Sequence, residues 1–152
     1  MALIKSISGI RGTIGGKPGE ALTPIDIVKF TSAFGSILNQ KNSHIKVVVG
    51  RDGRISGRMV SNLVVNTLLG IGIDVIDLGL STTPTVEIAT VLEGAAGGII
   101  ITASHNPKEW NALKLLNDKG EFIDAATGEE VLKRANELAI NFSVINSFCG
   151  ID

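Results

Sequence analysis

The clearest indication of the fold of this chain is the stretch Gly97-Gly-Ile-Ile-Ile-Thr102, continued by Ala-Ser-His-Asn-Pro107. It holds the run richest in β-branched residues, which is typical of a strand buried in the middle of a sheet. The residue before a proline avoids the α region, so Asn106-Pro107 predicts that the chain turns away soon after the strand ends. We therefore expect Ser104 and His105 to be held at the rim of a sheet.

Apolar periodicity on both sides of this stretch predicts alternating strands and helices. Strands are expected at 45–49, 73–78, 97–102 and 112–117. Helices are expected to begin at Thr23-Pro24 and Thr83-Pro84, each with threonine as N-cap, and near Ser56 and Ala125, the last ending at Ala139. Asp26 is a near match to the capping box of the first helix. Crossovers through helices make the first three strands parallel, while the helix-free loop 103–111 makes the last strand antiparallel to its predecessor. The expected fold is a three-layer α/β/α sandwich with a mixed, mostly parallel sheet.

Composition limits the classes of function. The chain has 152 residues, 44% hydrophobic and 19% charged, with a net charge of −1, five Phe, one Trp and no Tyr. This predicts a globular domain without the basic surface or aromatic platforms that bind nucleic acid. One cysteine excludes a disulfide framework, and no apolar run approaches the ~20 residues that span a bilayer. We expect a cytoplasmic protein with no nucleic-acid or membrane partner.

Ser104 and Lys114 form the first candidate constellation. If residues 112–117 run back antiparallel, Lys114 lies about two residues below the rim, or ~7 Å, and its long stem can reach the loop that holds Ser104. The alternatives are a serine and histidine bonded only to loop backbone, and an edge-strand lysine that blocks aggregation. The residues alone do not decide between a functional site and these structural alternatives.

Two glycine-flanked arginine segments form the second candidate. Ser8-Gly-Ile-Arg11-Gly12 and Gly50-Arg-Asp-Gly-Arg54 could each offer a guanidinium to a phosphate. The plainer alternatives are a surface turn for the first segment and an Arg–Asp pair that stabilises a turn for the second.

Several common sites are excluded by motif. The chain lacks the G-x-x-x-x-G-K-[ST] phosphate loop, the third glycine of a dinucleotide fingerprint and the G-x-S-x-G elbow. Its two histidines, His44 and His105, share no metal-ligand spacing.

Taken together, four segments resemble the α-D-phosphohexomutases, the phosphoglucomutase/phosphomannomutase family. Thr102–Pro107 with Trp110–Lys114 is similar to the phosphoserine loop and the lysine strand of that family. Ser8–Gly12 resembles its amino-terminal signature, and Gly50–Arg54 and Thr83-Pro84-Thr85 occur where the family has related segments. The resemblance covers nearly the whole chain and implies the first, phosphoserine-bearing domain of such an enzyme.

The resemblance implies a role for each site residue. Ser104 would carry the phosphate, Lys114 and Arg11 would be active-site cations for proton transfer and charge stabilisation, and His105 would help orient substrate. Substrate or phosphate would be bound by Ser8, Arg11, Asn106 and Asn111. The reaction implied is reversible phosphoryl transfer between C1 and C6 of a hexose phosphate, through hexose 1,6-bisphosphate as activator and intermediate.

The resemblance also implies parts that this chain does not contain. Mg²⁺ would be held by the phosphate of Ser104 and by carboxylates from an absent Asp-rich segment. Residues 1–139 would be domain I of the enzyme. Residues 140–152 would begin the connection to a missing second domain, although a terminal strand or frayed tail is the simpler interpretation. The fragment alone is expected to be inactive. Alternatives are a phosphoglucosamine mutase of the same family, or a stand-alone, non-catalytic module that binds a phosphosugar or a partner.

Overall fold

The computed structural model describes residues 1–7, 9–40, 44–137, 141–143 and 150–152. The described residues form six strands and four helices. In chain order these are β1 Leu3–Ser6, β2 Gly9–Thr13, α1 Pro24–Asn39, β3 Lys46–Arg51, α2 Gly57–Gly70, β4 Asp74–Leu80, α3 Thr83–Leu92, β5 Gly97–Ile101, β6 Trp110–Leu116 and α4 Ala125–Glu137.

The six strands form one mixed sheet in the order β1-β2-β6-β5-β3-β4. Strand β3 pairs in parallel with β4 and β5, whereas β6 is antiparallel to β5 and to β2, and β2 is antiparallel to β1. The directions of the strands at 45–49, 73–78, 97–102 and 112–117 are thereby confirmed. Four strands, β2, β3, β4 and β5, run in the same direction. The antiparallel pairings lie on the side of the sheet formed by β1, β2, β6 and β5.

Helices cover both faces of the sheet, as the α/β/α prediction requires. Along β5, the side chains of Ile99 and Ile101 join the larger core under α1, α2 and α4, while Ile100 joins a smaller core under α3. This alternation follows from the two-residue period of a strand. The layers are unequal, because α3 is the only helix of the described chain on its face. None of the described helices combines the length and the apolar character needed to cross a bilayer.

The helix starts follow their sequence signals, with one shift. Thr23 caps α1 and Asp26 completes the box, since the Thr23 amide donates to Asp26 Oδ2 at 3.1 Å and the Asp26 amide donates to Thr23 Oγ1 at 3.4 Å. The predicted cap of α3 was wrong by one residue: Thr82, not Thr83, accepts from the Thr85 amide, at 3.3 Å. Proline is tolerated throughout the first turn because the amides there have no helical partner, so its position does not identify the cap.

An amino-terminal hairpin, β1 and β2, was missed by the sequence analysis. The segment around Arg11 was considered as a turn, but it is a strand paired on both sides, with Ile4 opposite Arg11 in β1 and Ala112 opposite it in β6. Its glycines hid the strand pattern because they carry no side chain to alternate. They are needed for close approach: a Cβ on Gly9 would overlap the carbonyl oxygen of Leu113, and one on Gly12 would lie 2.5 Å from that of Ala2.

The last described residues run along the free edge of β4. The amide of Val75 donates to Gly150 O at 3.3 Å, and the amides of Asp152 and Asp77 donate to Val75 O at 2.9 Å and to Asp152 O at 3.0 Å. Residues 150–152 therefore pair as a short parallel segment, as in the simpler interpretation of the tail. Residues 138–140 and 144–149, which include the expected end of α4 and the expected domain boundary, lie outside the described residues, so that boundary stays a prediction.

Helix α4 is attached to α1 by a charged contact. Arg134 Nε donates to Glu130 Oε1 at 2.9 Å, and its Nη1 donates to Ser36 Oγ at 3.2 Å. The hydrogen bond from Arg134 lowers the pKa of Glu130 below its ordinary value. Both side chains lie near the surface, so this contact orients α4 more than it stabilises the fold.

The close approach of β2 to β6 predicts a strong effect of Gly9→Ala. The added methyl group would overlap backbone, which cannot move aside as a side chain can, so we expect a loss of about 1–3 kcal/mol in the free energy of unfolding. Urea denaturation followed by circular dichroism measures it. Gly53→Ala is the matched control, because a Cβ there meets no atom within 4 Å. Equal stability of the two variants would contradict the predicted packing.

Candidate active site

The loop after β5 presents Ser104 at the carboxyl edge of the sheet. Every residue of β5 is buried, and Ser104, three positions further on, is exposed. A tight turn begins two residues after the strand ends, since the Asn106 amide donates to Ala103 O at 3.0 Å. Ser104 has φ of +52°, in the left-handed region that non-glycine residues rarely adopt. The predicted position of this serine at the rim is confirmed.

Lys114 reaches Ser104 from the neighbouring strand. The register of β5 and β6 places Ile100 opposite Lys114, so the lysine starts below the rim and its stem extends toward it. Its Nζ donates a hydrogen bond to Ser104 Oγ at 2.7 Å. The reach predicted from an antiparallel return of the chain is confirmed. An ammonium group thus lies where a phosphate on that hydroxyl would need positive charge.

Arg11 projects to the same face as Lys114. In β2, Arg11 lies opposite Ala112 and Gly9 lies opposite Lys114. Directly opposed residues of an antiparallel pair share a face, and so do alternate residues of one strand, which places Arg11 and Lys114 together. Arg11 is exposed. The sheet therefore directs two cations to the open part of the face that carries α3.

A shallow cleft of about 280 Å³ lies between these groups. It is lined by Arg11, Ala103, Ser104, His105, Asn106, Ala112 and Lys114. Five residues predicted from the sequence thus lie around one space, with His105 exposed and Asn106 half-buried. Two cations, a hydroxyl, an imidazole and an amide form a site suited to a small phosphorylated molecule.

Two other predicted residues are not placed in this cleft. Asn111 is fully buried, where its Nδ2 donates to Ser56 Oγ at 2.9 Å and its Oδ1 accepts from the Ala112 amide at 2.8 Å. It is three positions from Lys114, an odd number, so the strand period directs it to the opposite face. The same period, applied to the sequence, would have separated the two residues. Ser8 lies outside the described residues.

The Gly50–Arg54 segment forms more contacts around the site than the Arg–Asp turn predicted from its sequence. An Arg–Asp pair is present, with Arg54 Nε 3.4 Å from Asp52 Oδ2. The Arg54 guanidinium also reaches across to carbonyl oxygens of the loop that carries Ser104. Sequence separation hid this contact, because it joins residues about fifty positions apart.

A larger cavity of the described chain lies elsewhere. It has a volume of about 670 Å³ and is lined in part by His44, Lys46 and Asn117, near the amino ends of the parallel strands. Ligands of open α/β sheets bind at the opposite, carboxyl edge. The smaller cleft at Ser104 is the better candidate because it holds the exposed hydroxyl with its ammonium partner.

The cleft does not form a metal site by itself. Among the described residues, no group of three or more His, Cys, Asp or Glu side chains could hold a metal ion. Asp52, the carboxylate near the loop, accepts a hydrogen bond from Thr102 Oγ1 and faces Arg54. A divalent cation prefers several oxygen ligands, which these residues do not supply.

Comparison with known proteins gives a consistent result. Residues 3–141 match the family described as "Phosphoglucomutase/phosphomannomutase, alpha/beta/alpha domain I". A phosphoglucomutase/phosphomannomutase of Thermococcus kodakarensis is 45% identical over 112 residues, which is 72% of this chain and 25% of that protein. A phosphoglucosamine mutase of Francisella tularensis subsp. novicida is 41% identical over 131 residues, 86% of this chain and 29% of that protein.

A solved structure agrees with these relatives. A phosphoglucomutase/phosphomannomutase family protein from Burkholderia thailandensis superposes with a TM-score of 0.81 at 27% identity, covering 98% of this chain and 32% of that one. The chain therefore spans between a quarter and a third of the length of the proteins it matches.

The paired cations predict that the cleft binds inorganic phosphate. We expect Lys114→Met to weaken phosphate binding about tenfold or more, because a charge-assisted hydrogen bond is lost. Chemical-shift titration of the Ser104 and His105 amides measures the affinity. Lys17→Met is the control, because Lys17 is 72% exposed, pairs with Glu20 and does not line the cleft. An unchanged affinity in Lys114→Met would show that the ammonium does not serve an anion.

Proposed function

Since this chain belongs to the phosphoglucomutase/phosphomannomutase family, as its alpha/beta/alpha domain I, we propose that it carries the phosphoryl group of a phosphohexomutase. The reaction proposed is reversible transfer between C1 and C6 of a hexose phosphate through hexose 1,6-bisphosphate. One observation carries the proposal: the hydrogen bond from Lys114 Nζ to an exposed serine oxygen, Ser104 Oγ, at 2.7 Å.

Ser104 is proposed as the phosphoryl carrier. In the forward step the P–Oγ bond of phosphoserine breaks and a bond forms between phosphorus and a sugar hydroxyl oxygen, whose proton is released. In the return step the phosphate at the other carbon of the bisphosphate passes back to Ser104. A phosphoserine carries about −1.5 to −2 charges, so this transfer depends on positioning and on nearby positive charge.

Lys114 and Arg11 are proposed to have different tasks. The Lys114 ammonium already contacts Oγ, so it can give a proton to that oxygen as the phosphoryl group leaves and take it back in the reverse direction. Arg11 offers a planar fork that suits two phosphate oxygens at once. His105 and Asn106 line the same cleft, where they can orient the substrate. Asn111 is omitted from this set because its polar atoms are already bonded inside the domain.

Mg²⁺ is proposed to bind only when other parts of the enzyme are present. The described residues offer no cluster of metal ligands, so the phosphate oxygen on Ser104 would be one ligand and carboxylates from outside this chain the others. When bound, the ion would neutralise charge on the transferring phosphate. We assign no step of this chain's chemistry to it.

The substrate is proposed as a hexose phosphate, without a choice of sugar. Relatives named phosphoglucomutase/phosphomannomutase and phosphoglucosamine mutase match at 45% and 41% identity, so both remain within the proposal. A stand-alone binding module is the alternative from another class. Phosphorylation of Ser104 distinguishes it from the enzyme, because simple binding leaves the hydroxyl unmodified.

The proposed carrier role predicts phosphate on Ser104. We expect tandem mass spectrometry of the protein purified from cells to find one phosphate, on this residue, and expect Ser104→Ala to lack it. Lys114→Met should lower the occupancy, whereas Lys17→Met should not. Unmodified Ser104 both before and after incubation with glucose 1,6-bisphosphate and Mg²⁺ would favour the binding module.

The partial length of the chain predicts that it does not turn over alone. With glucose 1-phosphate, glucose 1,6-bisphosphate and Mg²⁺ present, we expect no sustained formation of glucose 6-phosphate, because the metal carboxylates and sugar-binding groups lie outside this domain. Coupled dehydrogenase detection of glucose 6-phosphate provides the assay. Continuous turnover that is lost in Ser104→Ala would contradict this expectation while supporting the carrier role.

A further inference from the structure

One guanidinium group holds most of the loop that presents Ser104. Arg54 Nη1 donates to Pro107 O at 2.7 Å and to Trp110 O at 3.1 Å. Its Nη2 donates to Ser104 O at 2.9 Å and to Asn106 O at 2.8 Å. The side chain is only 13% exposed. Four carbonyl groups from both ends of the loop therefore converge on one planar fork.

These contacts use all four terminal N–H donors of Arg54. A guanidinium has five N–H donors, and four of them are directed at the carbonyl oxygens. The fifth, on Nε, faces Asp52 Oδ2 at 3.4 Å, an ion-pair distance that is long for a hydrogen bond. This Nε is buried, so it is not available to a phosphate oxygen either. Unlike Arg11, Arg54 is therefore suited to organise the site rather than to bind its ligand.

Asp52 connects a second support to the same serine. Thr102 Oγ1 donates to Asp52 Oδ2 at 2.5 Å and accepts from the Ser104 amide at 3.1 Å. The Arg54 amide donates to Asp52 Oδ1 at 3.1 Å. Asp52 thus contacts both groups that bind the backbone of Ser104: Thr102, which accepts from the Ser104 amide, and Arg54, which donates to the Ser104 carbonyl oxygen.

We propose that Arg54, with Asp52, is a positioning residue that holds Ser104 in its left-handed conformation and so directs the hydroxyl at Lys114. A non-glycine residue keeps a positive φ only where its surroundings over-determine it, and here both backbone polar groups of Ser104 are bonded by this network. A return of φ to negative values would swing Oγ away from the ammonium. That this orientation serves phosphoryl transfer rests on the proposed function; the conformation itself does not.

Arg54→Lys tests the proposal in this chain, without substrate. A lysine keeps the charge but cannot span four carbonyls. We expect the three-bond HN–Hα coupling and the Cα and Cβ shifts of Ser104 to lose their left-handed values. Exchange of the hydrogen-bonded Ser104, Asn106 and Trp110 amides with water should accelerate about tenfold or more, while the amides of β5 change little. The matched control is Arg58→Lys, since Arg58 is exposed and its side chain makes no hydrogen bond or ion pair with the described residues.

A second pair of variants tests the contact of Thr102 with the Ser104 amide. It also gives a result if Arg54→Lys fails to fold. Thr102→Val removes the hydroxyl at nearly constant volume, whereas Thr102→Ser retains it. We expect the valine variant to lose the left-handed signature of Ser104 and the serine variant to keep it. If Thr102→Val, and Arg54→Lys where it folds, leave the coupling constant and loop exchange as in the unaltered chain, the proposal is overturned.

The outcomes separate this proposal from the proposed function. A network that controls the conformation of Ser104, in a protein that never carries phosphate on that residue, would support the positioning role and refute the carrier role. The opposite result would be that Ser104 keeps its conformation and its full phosphate occupancy in Arg54→Lys and Thr102→Val. That result would support the carrier role and refute the positioning role.

Discussion

The antiparallel return of β6 along β5 is the constraint on which the candidate site depends. It places Lys114 opposite Ile100, below the point where the buried strand opens into the Ser104 loop, and the length of a lysine stem covers the remaining distance. A parallel partner would have entered from a crossover helix and brought a different residue to this height. The contact between ammonium and hydroxyl is thus a result of strand direction and register.

The same sheet supplies the second cation through a strand that has almost no side-chain signature. Strand β2 lies close against β6 because Gly9 carries no Cβ, and this close pairing sets Arg11 beside Ala112 on the face of Lys114. The face is open there because α3 alone covers it in the described chain, packing on Ile100 and its neighbours. The thin helical layer is therefore what leaves the cations accessible.

The two arginines near the cleft show that one residue type can serve opposite purposes. Arg11 is exposed and projects into the cleft, so its donors can meet a ligand. Arg54 is largely buried; it directs its four terminal donors at backbone carbonyls and forms an ion pair with Asp52. The difference is one of location: the first lies on a strand at the open face, and the second lies behind the loop, between two strand ends.

Periodic and capping signals in the sequence determined the succession of strands and helices along the chain from β3 to α4. The sequence also determined the direction of β6 and the position of Ser104 at the end of β5. These features depend on residues that are close in the chain. Motif resemblance determined the family. The pairing of β2 with β6 and the convergence of Asp52, Thr102 and Arg54 on the Ser104 loop became visible only in three dimensions. Both features join segments that are distant in the chain, through contacts that no local sequence pattern records.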